Sequence, residues 1–168
     1  MQRLGDLLGL PVVTLAGGRR VGRVRDLVLD PGGRQVLGLL LSREGWFRGA
    51  QGVPWGEVVR IGRDAVLVRG EPRPAPAGLL WSSLRGKPVL TLGGAEVGLL
   101  ADLEVDPGGR VQGYRLSGGV LDDLLVGQAR VEGPAHMEPG SDVVLLSGPA
   151  AWGEGPGDPG QEGEHALS

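Results

Sequence analysis

Two histidines, one tyrosine and no cysteine leave this chain little with which to do covalent or metal chemistry. Without cysteine there is no disulfide, thiolate metal site or thiol nucleophile. His136 follows Pro134-Ala135 and is expected in a loop, and His165 stands close to Ser168. Neither belongs to an H-x-x-H or H-E-x-x-H pattern, which would present two imidazoles to zinc from one face. Asp102, Glu104, Asp106 and Gly108 have a spacing faintly like that of a calcium loop. Such a loop needs Gly and Glu at its sixth and twelfth positions, which are Pro107 and Gly113 here. Gly155, Gly157 and Gly160 satisfy the G-x-G-x-x-G formula, but no strand precedes them and no helix follows to aim N–H groups at a phosphate. Gly86-Lys87 lacks the upstream glycine of a P-loop, and no G-x-S-x-G nucleophile turn occurs. The chain is therefore expected to be non-catalytic, with no cofactor and no metal.

Residues suited to binding are better represented. Arg43-Glu44-Gly45-Trp46-Phe47-Arg48-Gly49 places two aromatics between strand-like runs. Trp46, Phe47 and Arg48 are candidate partner-binding residues, because aromatics and arginine are enriched where interfaces are anchored. The other reading is that one aromatic folds back as a lid. Trp55, in Val53-Pro54-Trp55, is expected to be structural. The second candidate is a basic patch of Arg19, Arg20, Arg23, Arg25 and Arg34. A basic stripe is the electrostatic footprint of nucleic-acid binding. It would equally suit solvent, or an acidic surface of the same or a sister chain. No aromatic RNA-stacking motif accompanies it.

An acidic surface of that kind exists in the sequence. Residues 1–76 hold twelve arginines and seven acids, while residues 77–168 hold five basic residues and thirteen acids. The halves are thus +5 and −8, an asymmetry that speaks to partners rather than to fold. The longest apolar runs are four or five residues, against the roughly 20 needed to span a bilayer. With no apolar leader after Arg3, a cytoplasmic location is expected.

The elements that must position these residues come in two copies. Gly9-Leu10-Pro11-Val12-Val13-Thr14-Leu15 reappears as Gly86-Lys87-Pro88-Val89-Leu90-Thr91-Leu92. Asp26-Leu27-Val28-Leu29-Asp30-Pro31-Gly32-Gly33-Arg34 reappears as Asp102-Leu103-Glu104-Val105-Asp106-Pro107-Gly108-Gly109-Arg110. Period-two alternation reads as half-buried strands. It puts Leu99, Ala101, Leu103 and Val105 on a core face, and Leu100, Asp102, Glu104 and Asp106 on a solvent face. Ala65–Arg69 and Val143–Leu146 are expected closing strands, and Leu4–Leu8 and Trp81–Leu84 short helical turns. The 33 glycines and 13 prolines fall largely between strands, where turns need them. The expected class is all-β: two tandem small β-barrels over 1–71 and 79–150, the second divergent. Alternating prolines make 72–78 an extended linker, and the acidic Gly/Pro-rich tail, 151–168, is expected to be disordered. Cores this small are marginal alone, so the two barrels should lean on each other or on a partner.

The repeat resembles the PRC-barrel domain family. The resemblance is carried by Leu8-Gly9-Leu10-Pro11-Val12-Val13, Gly17-Gly18, Val21-Gly22-Arg23-Val24, Asp26–Asp30 and Val53-Pro54-Trp55-Gly56-Glu57-Val58. It covers residues 4–70, and residues 82–148 as far as Leu116. Related domains occur in the photosynthetic reaction-centre H subunit and in the ribosome maturation factor RimM. The resemblance implies a docking module, hence an adaptor with a protein partner. The alternative it implies is a ribosome- or RNA-associated maturation factor, with the basic first barrel facing RNA or a ribosomal protein.

Overall fold

The computed structural model describes residues 2–42, 50–118, 129–132, 136–147 and 151–152. The first repeat comprises β1 (Gln2–Arg3), a 3-10 turn (Gly5–Leu7), β2 (Pro11–Thr14), β3 (Arg20–Leu29), β4 (Val36–Ser42), β5 (Gln51–Pro54), a 3-10 turn (Trp55–Glu57), β6 (Val58–Ile61), β7 (Val66–Val68) and β8 (Arg73–Pro74). The second has β9 (Leu79–Leu80), α1 (Trp81–Leu84), β10 (Pro88–Thr91), β11 (Glu96–Val105), β12 (Val111–Ser117), β13 (Ala129–Glu132), β14 (His136–Pro139), β15 (Val144–Ser147) and β16 (Ala151–Trp152). Strand order is β6-β7-β2-β3-β4-β5-β8 in one sheet and β14-β15-β10-β11-β12-β13-β16 in the other, the same topology twice. The all-β tandem expectation holds. Both sheets curl, but among the described residues their end strands do not pair with each other. Pro74 and Pro139 lie on those end strands, where a missing N–H discourages further pairing.

Three expectations need correction. His136 is not in a loop: it opens β14, opposite Ser147. The residues 72–78 are extended, but not a free spacer. Arg73 and Pro74 pair with Gly52 and Gln51, and the Ala75 N–H donates to the Ala50 carbonyl at 3.0 Å. The third correction concerns alternation. Leu100 is buried, whereas Leu99 is 36% exposed. The cause is a β-bulge: β11 pairs Leu100 with Leu116 and Asp102 with Arg115, so Ala101 is an extra residue. Such an insertion reverses the phase of the faces. β3 has the same bulge at Arg25, between Val24 and Asp26. Arg23 and Arg25, which match Leu99 and Ala101, are accordingly exposed while Val24 is buried.

The predicted solvent face of β11 is covered by protein. The start of each repeat crosses to the other sheet. β1 pairs with β11, Gln2 opposite Val105 and Arg3 opposite Glu104. β9 pairs with β3, Leu79 opposite Leu29 and Leu80 opposite Val28. The Leu4 N–H donates to the Leu103 carbonyl at 3.0 Å, and by Gly9 the chain has returned to its own sheet, donating to Val24. The second repeat returns likewise through Gly86 and Leu100. Asp102 accepts from the Gly5 N–H at 3.0 Å, and Asp26 from the Ser82 N–H at 3.1 Å and from the Ser82 hydroxyl. Glu104 is paired with Arg115 at 2.7 Å.

The crossings bury Leu4, Leu7, Trp81 and Leu84 in one core continuous through both repeats. Each such side chain contributes about 1.5–3 kcal/mol on burial, so the four together are worth roughly 6–12 kcal/mol, comparable with the net stability of a whole domain. The repeats therefore stand as one unit, as their small size demands. A seam completes the pairing. Gln35 bridges to Arg110, the Val36 N–H donates to Gly109 and the Val111 N–H to Arg34, both at 2.8 Å. These are corresponding positions of the two repeats, so the chain is organised about an approximate twofold axis through that bridge, like a closed dimer.

Candidate interaction surface

The arginines of the predicted basic patch do not form one cluster. Arg19, Arg20, Arg23 and Arg25 line the first half of β3 and the turn before it, all exposed. Arg34 lies past the other end of β3, beside the twofold seam, roughly 30 Å along the strand from Arg20 and roughly 15 Å from Arg25. Arg19 pairs with Glu71 at the surface, and Arg23 Nη1 donates to the Gly9 carbonyl at 3.0 Å. Arg20 and Arg25 form no ion pair among the described residues. Trp46, Phe47 and Arg48 lie outside the described residues, as do Asp122, Asp123 and the segment 153–168.

Trp55 is buried, as expected, but it reaches across the molecule. Its Nε1–H donates to the Pro107 carbonyl of the other repeat at 3.0 Å. Gly109 lies directly beneath the indole. The three acids with calcium-like spacing serve as local acceptors. Asp106 receives the Arg110 N–H at 2.9 Å and the Gln112 side chain at 3.2 Å, while Asp102 and Glu104 are engaged as described above. Among the described residues no group of three His, Asp or Glu residues could hold a metal ion, and no helix is long and apolar enough to cross a membrane. Tyr114 has its phenol pKa raised, chiefly by burial between the repeats and slightly by Asp30. A backbone hydrogen bond with Met137 and the charge of Arg34 oppose the shift.

The outward faces carry a pattern that the sequence did not disclose. β2 and β7 run parallel, with Val13 opposite Leu67. Leu67 lies opposite Arg60 on β6, and Val13 opposite Arg20 on β3. Directly opposed residues share a face, so Arg60, Leu67, Val13 and Arg20 form one row. Val12 and Val66 are buried on the other side, which sends this row outward. The second sheet repeats the row with its charges reversed. Glu138 lies opposite Leu145, Leu145 opposite Leu90, and Leu90 opposite Glu96. In both rows the ends are exposed and the apolar centres half-buried. The hairpin tip beside each row carries an exposed leucine, Leu15 at 51% in the first sheet and Leu92 at 68% in the second, again at corresponding positions. The hairpins and their leucines were visible in the repeat. The rows were not, because the β2–β7 and β10–β15 pairings join residues over 50 positions apart.

The profile of the PRC-barrel domain matches residues 1–72 and again residues 77–145. No curated protein matches the chain.

Proposed function

Because the chain belongs to the PRC-barrel domain family through both of its repeats, we propose that it is a non-enzymatic adaptor that docks a protein partner in the cytoplasm. Domains of this family are generally binding modules rather than catalysts. The observation that carries the reading is the pair of exposed leucines, Leu15 and Leu92, at equivalent hairpin tips, each turn closed by backbone bonding from Thr14 to Arg19 and from Thr91 to Ala95. A large apolar side chain held on a fixed turn loses little conformational freedom on binding, which favours docking. Trp46, Phe47 and Arg48 are proposed, from their residue types, as further partner contacts. Affinity capture with chemical cross-linking tests this. Leu15→Ser with Leu92→Ser, and separately Trp46→Ala, should abolish a specific cross-linked partner without lowering Tm. Undiminished capture by both variants refutes the reading.

A second reading rests on the exposed Arg20, Arg23, Arg25 and Arg60 at one end of the first sheet. In it the basic sheet contacts ribosomal RNA. Four phosphate contacts would give a log–log salt slope of about −3, and Arg20→Glu with Arg60→Glu should flatten it. RNA binding with no salt dependence would refute it.

A further inference from the structure

We propose that the chain associates head to tail with other copies of itself. The row Arg60–Leu67–Val13–Arg20 of one copy packs on the row Glu138–Leu145–Leu90–Glu96 of the next. The proposal rests on the docking reading and names the occupant of one pair of surfaces.

Four observations converge. First, the rows match in dimension. Each crosses four adjacent strands, so its charged ends stand roughly 14 Å apart at the backbone. Second, both ends of one row are cationic and both ends of the other anionic. Arginine meets glutamate whichever way the rows are laid over each other. Third, the centres are apolar in both rows, and Leu15, Leu92 and Leu99 add exposed apolar surface beside them. Packing centre on centre removes that surface from water while the charges form a rim, the usual anatomy of an interface. Fourth, one chain does not bring its own rows together. Arg20 and Glu96 begin the long strands β3 and β11, whose other ends meet the twofold seam.

The symmetry of the contact follows from the charges. Two first-sheet rows repel, and so do two second-sheet rows, so an isologous dimer through like faces is disfavoured. The contact joins unlike faces. Heterologous contacts of this kind propagate into rings or open chains. The balance of +5 in residues 1–76 and −8 in residues 77–168 extends the same polarity beyond the rows and steers encounter.

Sedimentation velocity on the full chain, over a concentration series and at two salt concentrations, tests the proposal. The weight-average mass should rise with concentration and fall with added salt, since rim charges are screened. Arg20→Glu with Arg60→Glu makes both rows acidic, and Glu96→Arg with Glu138→Arg makes both basic. Each double variant should weaken self-association by about tenfold or more. Mixing the two should restore it, and so should all four substitutions in one chain, which exchange the signs of the rows. These positions are exposed, and an unchanged circular dichroism melt verifies the fold. A wild type that stays monomeric throughout overturns the proposal. So does association that survives the double variants, or loss that neither the mixture nor the fourfold variant restores. A monomer that still captures a partner through Leu15 and Leu92 overturns self-association alone, whereas the docking reading fails on the capture experiment.

Discussion

Gly109→Ala probes the contact between the repeats with a built-in control. Gly109 has φ of +83°, and a Cβ added there would sit 2.8 Å from both Cδ1 and Nε1 of Trp55 and 2.9 Å from Gln35 Nε2. Gly94 has nearly the same φ, +84°, but nothing within 4 Å of its added Cβ. Left-handed backbone costs an alanine about 1–2 kcal/mol at either site. Overpacking against the indole adds about 1–3 kcal/mol at Gly109 only, because Trp55 is buried and cannot swing away without losing its bond to Pro107. Gly94→Ala should therefore cost about 1–2 kcal/mol and Gly109→Ala about 2–5 kcal/mol. Equilibrium urea denaturation reads both, provided the m-values agree. In a Trp55→Leu background the excess at Gly109 should vanish, a coupling of about 1–3 kcal/mol in a double-mutant cycle. Equal costs at the two glycines would refute the packing of Trp55 on the second repeat. An excess that persists without the indole would refute its assignment to that contact.

Three further outcomes follow from the crossed arrangement. Asp26→Ala removes a buried carboxylate that accepts two part-buried bonds from the Ser82 N–H and hydroxyl and should cost about 2–4 kcal/mol, against about 1–2 for Asp102→Ala, whose bond from the Gly5 N–H is exposed; thermal or urea melts compare them. Glu104 and Arg115 occupy the places of Val28 and Leu40 in the first repeat. Glu104→Val alone should therefore destabilise by leaving a part-buried guanidinium, while Glu104→Val with Arg115→Leu should recover most or all of the loss in the same melts. Tyr114 is the only tyrosine, so ultraviolet titration follows it cleanly: phenolate should appear above pH 10 in the folded chain and near pH 10 once unfolded. Its raised pKa makes the native state bind the proton more tightly, so this contribution to stability is full below about pH 10 and is lost as pH rises through the folded value.

Much of the fold was legible because it is written locally. Asp30-Pro31-Gly32-Gly33 and Asp106-Pro107-Gly108-Gly109 mark turns, since proline presets one dihedral and glycine accepts positive φ, as Gly33 and Gly109 do. Apolar runs between turns gave the strands, and the recurrence of both gave two copies of one topology. The bulges at Arg25 and Ala101 were not legible. No residue type encodes them, so alternation through Leu99 and Leu100 ran out of phase.

The sequence by itself determined the repeat, the strand content, the polarity of charge between halves and the leucines at the hairpin tips. Each of these follows from residues near one another in the chain. The tertiary structure alone decided that each repeat begins on the other's sheet, that Trp55 reaches Pro107, that Arg34 stands apart from Arg19–Arg25, and that two rows of opposite sign face outward. Those depend on pairings such as Val13 with Leu67 and Gln2 with Val105. Distant contacts form when the gain from a shared core exceeds the chain entropy of closing long loops, a balance struck over the whole chain and recorded in no single segment.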